Sequence, residues 1–205
     1  MSLPSNAISL AVPPEATDHL EGSLHARVTL VEYGDFECPS CKVAVTTPKL
    51  LLERFPNKIR FIFRHFPLQE AHPHALLAAE ASEAAAAQGK FWQMHDVLFQ
   101  NQAHLKDKDL YRYATEIGLD LARYTAEMDD HIYLQKVREH IEGGRRSHIR
   151  ATPTFFVDGV VQDIFLRHEG PARCNGERRG ARRIEQSAQR GVAHGSSFWM
   201  MPAMA

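Results

Sequence analysis

The sequence lacks the features that would assign it to several large classes of proteins. It carries 24 basic and 25 acidic residues, so no overall charge favours binding to nucleic acid or to an anionic membrane surface. It also has no stretch near the roughly 20 apolar residues that a membrane-spanning helix needs. We therefore expect no nucleic acid and no membrane among its partners.

The chain has only three cysteines and no recognisable export signal. Residues 1–22 contain no basic start and no sustained apolar run, and Pro13 and Pro14 interrupt them. That is not the pattern of a secretory signal, so the expected compartment is the cytoplasm. Three cysteines do not make a disulfide scaffold, and in a reducing compartment a cysteine pair serves catalysis or metal binding.

A strand, helix, strand pattern opens the main part of the chain. Residues 1–25 are polar and interrupted by proline, which indicates an N-terminal arm. The short run from Arg27 to Tyr33 is rich in β-branched and aliphatic residues, as in a buried strand, and residues 58–66 alternate as a second strand. The helical pattern between them, with a kink expected at Pro48, predicts a right-handed parallel βαβ unit.

Segments with apolar residues at helical spacing follow, and they predict an insertion of four or five helices at about residues 72–148. Residues 151–163 then have strand character, and Asp158 and Gly159 are typical of a tight hairpin turn. The apolar period is lost in residues 164–205, which are rich in Arg, Gly and Ala. We expect a flexible tail there, either native or produced by a shifted reading frame. We favour the shifted frame, because the composition changes abruptly at a motif boundary.

Cys38 and Cys41 form a CxxC pair at the point where the first strand and a short turn lead into a helix. The free N–H groups and the dipole at a helix start favour a thiolate, so we expect the pKa of Cys38 to lie below the value of about 8.5 for free cysteine. The thiolate is the form that attacks a disulfide. Cys41, one turn further on, would displace the captured partner and leave a disulfide between the two. This chemistry requires neither an organic cofactor nor a metal.

A CxxC pair alone also occurs in zinc sites and in redox sensors. Zinc requires four ligands, and the spare candidates are Cys174 in the tail and His72 and His74, which Pro73 separates. We therefore favour a thiol–disulfide oxidoreductase that exchanges disulfides with protein or small-molecule thiols. The alternatives are a redox sensor or binding module that switches a partner without turnover, and, as the weaker alternative, a zinc-binding structural domain.

Two acidic residues, Asp35 and Glu37, lie between the first strand and Cys38. Negative charge beside Cys38 opposes its thiolate. We therefore expect these two side chains to contribute at most to a partner-binding surface.

Five motifs give the chain a resemblance to a known family. They are VTLVEYGDFECPSC, RFIFRHFPL, HPHALLAAEA, GKFWQMHDVLF and ATPTFFVDG. In order and spacing they resemble the DsbA-like branch of the thioredoxin-fold disulfide oxidoreductases, over about residues 18–163. The resemblance implies an α/β, thioredoxin-like domain at residues 26–163, with a βαβ … ββ core and the helical insertion between the second strand and the TP motif. The closing helix of that fold has no counterpart in the pattern of residues 164–205.

The resemblance also implies roles for five residues. Cys38 corresponds to the attacking cysteine and Cys41 to its buried resolving partner. Pro153 matches a cis-proline that faces the active site, and the backbone of Thr152 before it would pair with an extended segment of the partner. Glu32 matches a buried acid, whose pKa would rise on burial and which would accept the proton of Cys41.

Overall fold

The computed structural model of the chain describes residues 8–162. The tail expected at residues 164–205, with Cys174, lies outside the described residues. The described part contains five strands and seven helices. In chain order they are β1 (His19–Gly22), β2 (Val28–Gly34), α1 (Pro39–Ala44), α2 (Thr46–Arg54), β3 (Ile59–His65), α3 (Ala75–Ala86), α4 (Phe91–Gln100), α5 (Asp107–Glu116), α6 (Leu121–Asp129), α7 (Leu134–Arg146), β4 (Thr154–Val157) and β5 (Val160–Gln162).

The five strands form one mixed sheet in the order β1-β3-β2-β4-β5. β2 runs parallel to β3, with Val28 opposite Ile59 and Gly34 opposite His65, and α1 and α2 connect the two strands. β4 pairs antiparallel with β2, and β5 pairs antiparallel with β4. The thioredoxin-like βαβ … ββ core expected from the sequence is thus confirmed.

The N-terminal segment contributes a strand to the sheet. The sequence predicted only an arm at residues 1–25. His19–Gly22 form β1 and pair antiparallel with the edge of β3. Further upstream, Ser9 forms an isolated bridge with Val160 of β5 at the opposite edge. Backbone pairing at these two edges holds the segment although its sequence is polar.

The helical connection between β2 and β3 is broken near Pro48. α1 ends at Ala44 and α2 begins at Thr46. Pro48 has no N–H to donate to the carbonyl of Ala44, so the helix loses a bond where the sequence predicted a kink. The N–H of Val45 still donates to the carbonyl of Cys41 at 3.0 Å, which keeps the turn that carries the cysteine pair intact.

The predicted helical insertion consists of the five helices α3 to α7, between β3 and β4. α3 is rich in alanine, and most of its residues are buried. Each of the described helices is too short or too polar to cross a membrane. Beyond the insertion, Asp158 and Gly159 have positive φ angles of 49° and 78° and join β4 to β5, which confirms the predicted hairpin turn.

Two hydrophobic clusters cover the two faces of the sheet. The larger cluster includes Leu30 of β2 together with Cys38 and Cys41. The smaller cluster includes Tyr33 of β2 and residues of α7. Because side chains alternate along a strand, Glu32 projects to the same face as Leu30. The sheet therefore directs this carboxyl group towards the cluster that holds both thiols.

Candidate active site

Cys38 stands at the start of a helix, as the sequence predicted. It is the N-cap residue of α1, and Pro39 is the first helical residue. The N–H of Cys41 points back to the carbonyl of Cys38 at 3.1 Å. Both cysteines are free thiols, and both are buried, with 6% of Cys38 and 0% of Cys41 exposed. The exposed fraction, although small, belongs to Cys38, the residue expected to contact a partner.

The surroundings of Cys38 stabilise its thiolate. The hydrogen bond from the Cys41 thiol lowers the pKa of Cys38 to about 5 against the opposing effect of burial, and the N–H groups of Cys41 and Ser40 also lower it. The sequence predicted this direction from the helix start alone. The hydrogen bond from Cys41, which is the largest contribution, became visible only in the structure. At neutral pH Cys38 is therefore ionised.

Cys41 has the opposite properties. Burial raises the pKa of its thiol far above the ordinary value, and the hydrogen bond with Cys38 and the negative charge of Glu32 raise it further. The backbone N–H of Asp35 donates to its sulfur at 3.4 Å. The pair thus divides into one sulfur that is ionised and one that keeps its proton, as an attacking and a resolving cysteine require.

Glu32 is electrostatically coupled to both thiols. Only 2% of the residue is exposed, and burial together with the negative charge of Cys38 raises the pKa of Glu32 to about 8. Its Oε1 atom has no hydrogen-bond partner within residues 8–162. A carboxyl group with a pKa near neutral and an unpaired oxygen can both donate and accept a proton.

Thr152 and Pro153 lie immediately before β4 and beside the cysteine pair. The peptide bond between them is cis. The Sγ atom of Cys38 lies 3.3 Å from the carbonyl oxygen of Thr152, although the two residues are 114 positions apart in the sequence. The fold therefore brings together the CxxC pair and the TP motif that the sequence analysis selected separately.

Asp35 is buried, contrary to the expectation that it contributes to a partner-binding surface. Its carboxylate accepts hydrogen bonds from the N–H groups of Glu37 and Leu68, both at 2.8 Å, and from Nδ1 of His72 at 2.7 Å. These donors compensate for the burial of its charge. Glu37 in turn accepts the N–H of His74 at 2.7 Å. Both acidic residues thus tie the active-site loop to the segment before α3.

Gln102, in the loop between α4 and α5, is a further residue that the sequence analysis missed. Its side-chain amide donates to the carbonyls of Phe36 at 2.9 Å and of Cys38 at 2.8 Å. The helical insertion therefore holds the backbone on both sides of Glu37. A single glutamine in a loop carries no sequence signal for such a contact.

Among the described residues, one group of side chains has the spacing of a metal site, and it does not include the cysteine pair. In this group, Nε2 atoms of His19 and His65 lie 2.7 and 2.8 Å from Oε1 of Glu83. The ammonium group of Lys136 lies 2.8 Å from the other oxygen of the same carboxylate. Because Lys136 already neutralises Glu83, its positive charge opposes the binding of a cation there.

A family model described as thioredoxin matches residues 15–169 of the chain. Two curated relatives of the chain are named Na(+)/H(+) antiporter NhaA 1. The protein from Salinispora arenicola is 44% identical over 164 residues, which cover 80% of this chain and 24% of that protein. The protein from Mycolicibacterium vanbaalenii is 42% identical over 156 residues, which cover 75% and 24%. The chain thus spans about a quarter of the length of these relatives.

Solved structures with a similar fold cover most of the chain. Oxidised BdbD from Bacillus subtilis has a TM-score of 0.71 at 24% identity and covers 89% of this chain and 98% of that chain. The alpha-DsbA1 protein from Wolbachia pipientis has a TM-score of 0.66 at 21% identity, with coverage of 87% and 94%. At these identities the likeness shows a shared fold. With the family match over residues 15–169, it follows that the chain belongs to the thioredoxin family and has a DsbA-like thioredoxin fold.

Proposed function

We propose that the chain is a thiol–disulfide oxidoreductase that acts through a mixed disulfide on Cys38. The observation that carries the proposal is the contrast between the two thiols. The hydrogen bond from Cys41 lowers the pKa of Cys38 to about 5, whereas burial raises that of Cys41 far above the ordinary value. Cys38 is then the sulfur that enters the mixed disulfide, and Cys41 is the sulfur that resolves it.

In the oxidising direction the reaction starts from a disulfide between Cys38 and Cys41. A thiolate of the partner attacks the Sγ atom of Cys38, forms a mixed disulfide and releases Cys41 as a thiolate, which takes a proton from Glu32. A second thiolate of the partner then attacks the partner sulfur that is bonded to Cys38. A disulfide forms within the partner, and Cys38 is released as a thiolate. Two electrons have passed from the partner dithiol to the pair. The reverse sequence reduces a disulfide of the partner.

Glu32 is the proton carrier in this scheme. Burial is the first cause of its raised pKa, about 8, and it acts in either redox state, so Glu32 can hold the proton that the released Cys41 thiolate takes up. Its unpaired Oε1 atom leaves room for proton exchange with the sulfur of Cys41. Because the residue is buried, its carboxyl group has little direct contact with bulk water.

We place the extended segment of the partner against Thr152 and Pro153. The carbonyl of Thr152 lies 3.3 Å from the Sγ atom of Cys38, so a strand paired with the Thr152 backbone would pass beside the attacking sulfur. Pro153 has no N–H, so it makes no competing backbone bond of its own. Main-chain pairing of this kind accepts many partner sequences, which suits exchange with varied protein thiols.

The compartment bears on the direction of electron flow. The thiolate of Cys38 exists only in the reduced state, so the groups that lower its pKa favour reduction of the pair and make its disulfide a better oxidant. In the cytoplasm, which is the compartment expected from the sequence, thiols are kept reduced and the dithiol would predominate. There the pair would act on partner disulfides as a reductase or an isomerase.

A second candidate function is a redox module that switches a partner without turnover. The observation in its favour is the 44% identity to a segment that makes up 24% of a protein named as a Na(+)/H(+) antiporter. In that case the oxidation state of Cys38 and Cys41 would alter the activity of a membrane transporter to which such a module is joined.

Turnover distinguishes the two candidates. The wild-type chain should catalyse the reduction of insulin disulfides by a thiol donor, and Cys38→Ser should abolish the catalysis because no attacking sulfur remains. A wild-type protein without turnover, but with a partner that it binds in only one oxidation state, would favour the redox module.

Trapping identifies the partner. Cys41→Ser should leave Cys38 joined to its partner by a bond that a reductant cleaves, because the resolving thiol is missing. The variant with both Cys38→Ser and Cys41→Ser is the matched control and should trap nothing. Equal trapping by the two variants would contradict the roles assigned to the cysteines. Stoichiometric zinc released on thiol modification would favour the structural zinc domain instead.

A further inference from the structure

Two histidines bind the two acidic residues that precede Cys38. Nδ1 of His72 lies 2.7 Å from Oδ2 of Asp35, and Nδ1 of His74 lies 3.1 Å from Oε1 of Glu37. The side chains of the first pair are 16% and 0% exposed, and those of the second pair 35% and 21%. Because water screens the second pair more strongly, the first pair has the larger effect on its surroundings.

Asp35 links His72 to both cysteines. The carbonyl of Asp35 accepts the N–H of Cys38 at 3.2 Å, and its own N–H donates to the sulfur of Cys41 at 3.4 Å. Its carboxylate is buried, and an uncompensated negative charge at this position would oppose the Cys38 thiolate. A protonated His72 removes that opposition, because Asp35 and His72 together then have zero net charge.

The surroundings of His72 favour its protonated form. A carboxylate can only accept, so Nδ1 of His72 carries the hydrogen in the bond to Asp35. Burial alone would lower the pKa of His72, but the hydrogen bond to Asp35 and the negative charges of Asp35, Cys38 and Glu37 raise it above the ordinary value. Because 16% of the side chain is exposed, the ring can exchange protons with water.

We propose that His72, held by Asp35, is a positioning residue that stabilises the Cys38 thiolate and so favours the reduced state of the pair. This role rests on the disulfide exchange proposed above. Reduction adds two electrons to the disulfide, gives a thiolate on Cys38 and a thiol on Cys41, and takes up one proton at Cys41. His72 takes up a further fraction of a proton, because its affinity for a proton rises when the thiolate appears beside it.

The stabilisation by His72 depends on pH in a defined direction. It is fully present where His72 is protonated in both redox states, and it is lost as the pH rises through the pKa of His72 in the reduced protein. Between the pKa of His72 in the oxidised protein and its pKa in the reduced protein, the reduction potential falls more steeply with pH than proton uptake by the cysteine pair alone would cause. The charged groups that act on His72 there are Asp35, Glu37 and Cys38.

Alkylation rates and equilibria in glutathione redox buffers, both measured across pH, test the proposal. His72→Gln keeps a donor for Asp35 but carries no charge. It should lower the equilibrium constant for reduction of the pair about fivefold at neutral pH, raise the pKa of Cys38, and remove the extra dependence on pH. His72→Lys, which keeps a positive charge to higher pH, should restore the equilibrium constant while the extra dependence stays absent.

His74→Gln is the matched control, because it removes the same side chain from the more exposed pair on the same segment. It should change the equilibrium constant by less than about twofold. Equal effects of His72→Gln and His74→Gln would overturn the proposal. So would a His72→Gln variant whose equilibrium constant and pH dependence match those of the wild type.

The ring of His72 in the wild type provides a test that needs no substitution. Its pKa, followed by NMR in both redox states, should be higher in the reduced protein, and an equal pKa in the two states would overturn the proposal. The disulfide exchange itself is judged separately. If wild-type Cys38 ionised like a free cysteine, the proposed function would fail, whatever the effect of His72.

Discussion

Replacement of Glu32 by glutamine should make the reduced protein more stable at neutral pH. Burial and the charge of Cys38 raise the pKa of Glu32 from the ordinary value of 4.5 to about 8. The folded protein therefore holds this proton more tightly than the unfolded chain. The stability that Glu32 contributes is fully present below pH 4.5 and is lost as the pH rises through about 8.

The raised pKa of Glu32 sets the size of the effect. One pKa unit corresponds to about 1.4 kcal/mol, so the loss reaches about 3 kcal/mol at pH 7 and on the order of 5 kcal/mol above the folded pKa of Glu32. Glutamine has no charge to bury and avoids the loss. We expect Glu32→Gln to raise the free energy of unfolding by about 3 kcal/mol at pH 7 and by almost nothing below the ordinary glutamate pKa.

Urea denaturation of the reduced proteins at several pH values measures this gain. Cys38 titrates in the same range with the opposite sign, because its pKa is lowered to about 5 and its contribution is lost as the pH falls through that value. The difference between variant and wild type at each pH is therefore the quantity to compare. Glu53→Gln, on the exposed side of α2, is the control and should stay within about 0.5 kcal/mol of the wild type. A difference for Glu32→Gln that does not change with pH would refute the reasoning.

Three further substitutions test contacts around the site, each by urea denaturation. Gln102→Ala removes two hydrogen bonds to carbonyls of the active-site loop and should cost about 1–3 kcal/mol; no measurable cost would mean that the insertion does not support the loop. Gly34→Ala places a methyl group against a buried aromatic ring of β3 and should cost about 1–3 kcal/mol, whereas a neutral effect would contradict the close packing. Lys136→Met leaves the buried carboxylate of Glu83 without its ammonium partner and should cost about 3 kcal/mol. Arg123→Met, in an exposed pair, is the control and should cost clearly less than Lys136→Met, and equal costs for the two would argue against the buried network.

The parts of the site that could be predicted have local signals in the sequence. The strand that ends at Gly34 and the CxxC pair beyond it lie within a few residues of each other, so the helix start and its effect on Cys38 could be inferred directly. The turn at Asp158 and Gly159 likewise depends on two adjacent residues. The apolar run of the first strand, the alternation of the second and the helical pattern between them were enough to predict the parallel βαβ unit, which the structure confirms.

The parts that could not be predicted depend on contacts between distant segments. Asp35 is buried because donors from Leu68 and His72, over thirty positions away, reach its carboxylate. Gln102 meets the active-site loop only because the insertion folds back over it. β1 has a polar sequence, and its pairing with β3 supplies the structure that its own residues do not signal. The largest cause of the lowered pKa of Cys38, a hydrogen bond from Cys41, also required the three-dimensional arrangement.

The ionisation of Cys38 in the reduced wild-type protein tests the central claim most directly. It can be followed by the ultraviolet absorbance of the thiolate or by the rate of alkylation as a function of pH. We predict half-ionisation near pH 5, with Cys41 silent in the same range because burial keeps its proton in place. Half-ionisation near the value of about 8.5 for free cysteine, or a Cys38 that the alkylating reagent cannot reach, would contradict its assignment as the attacking sulfur.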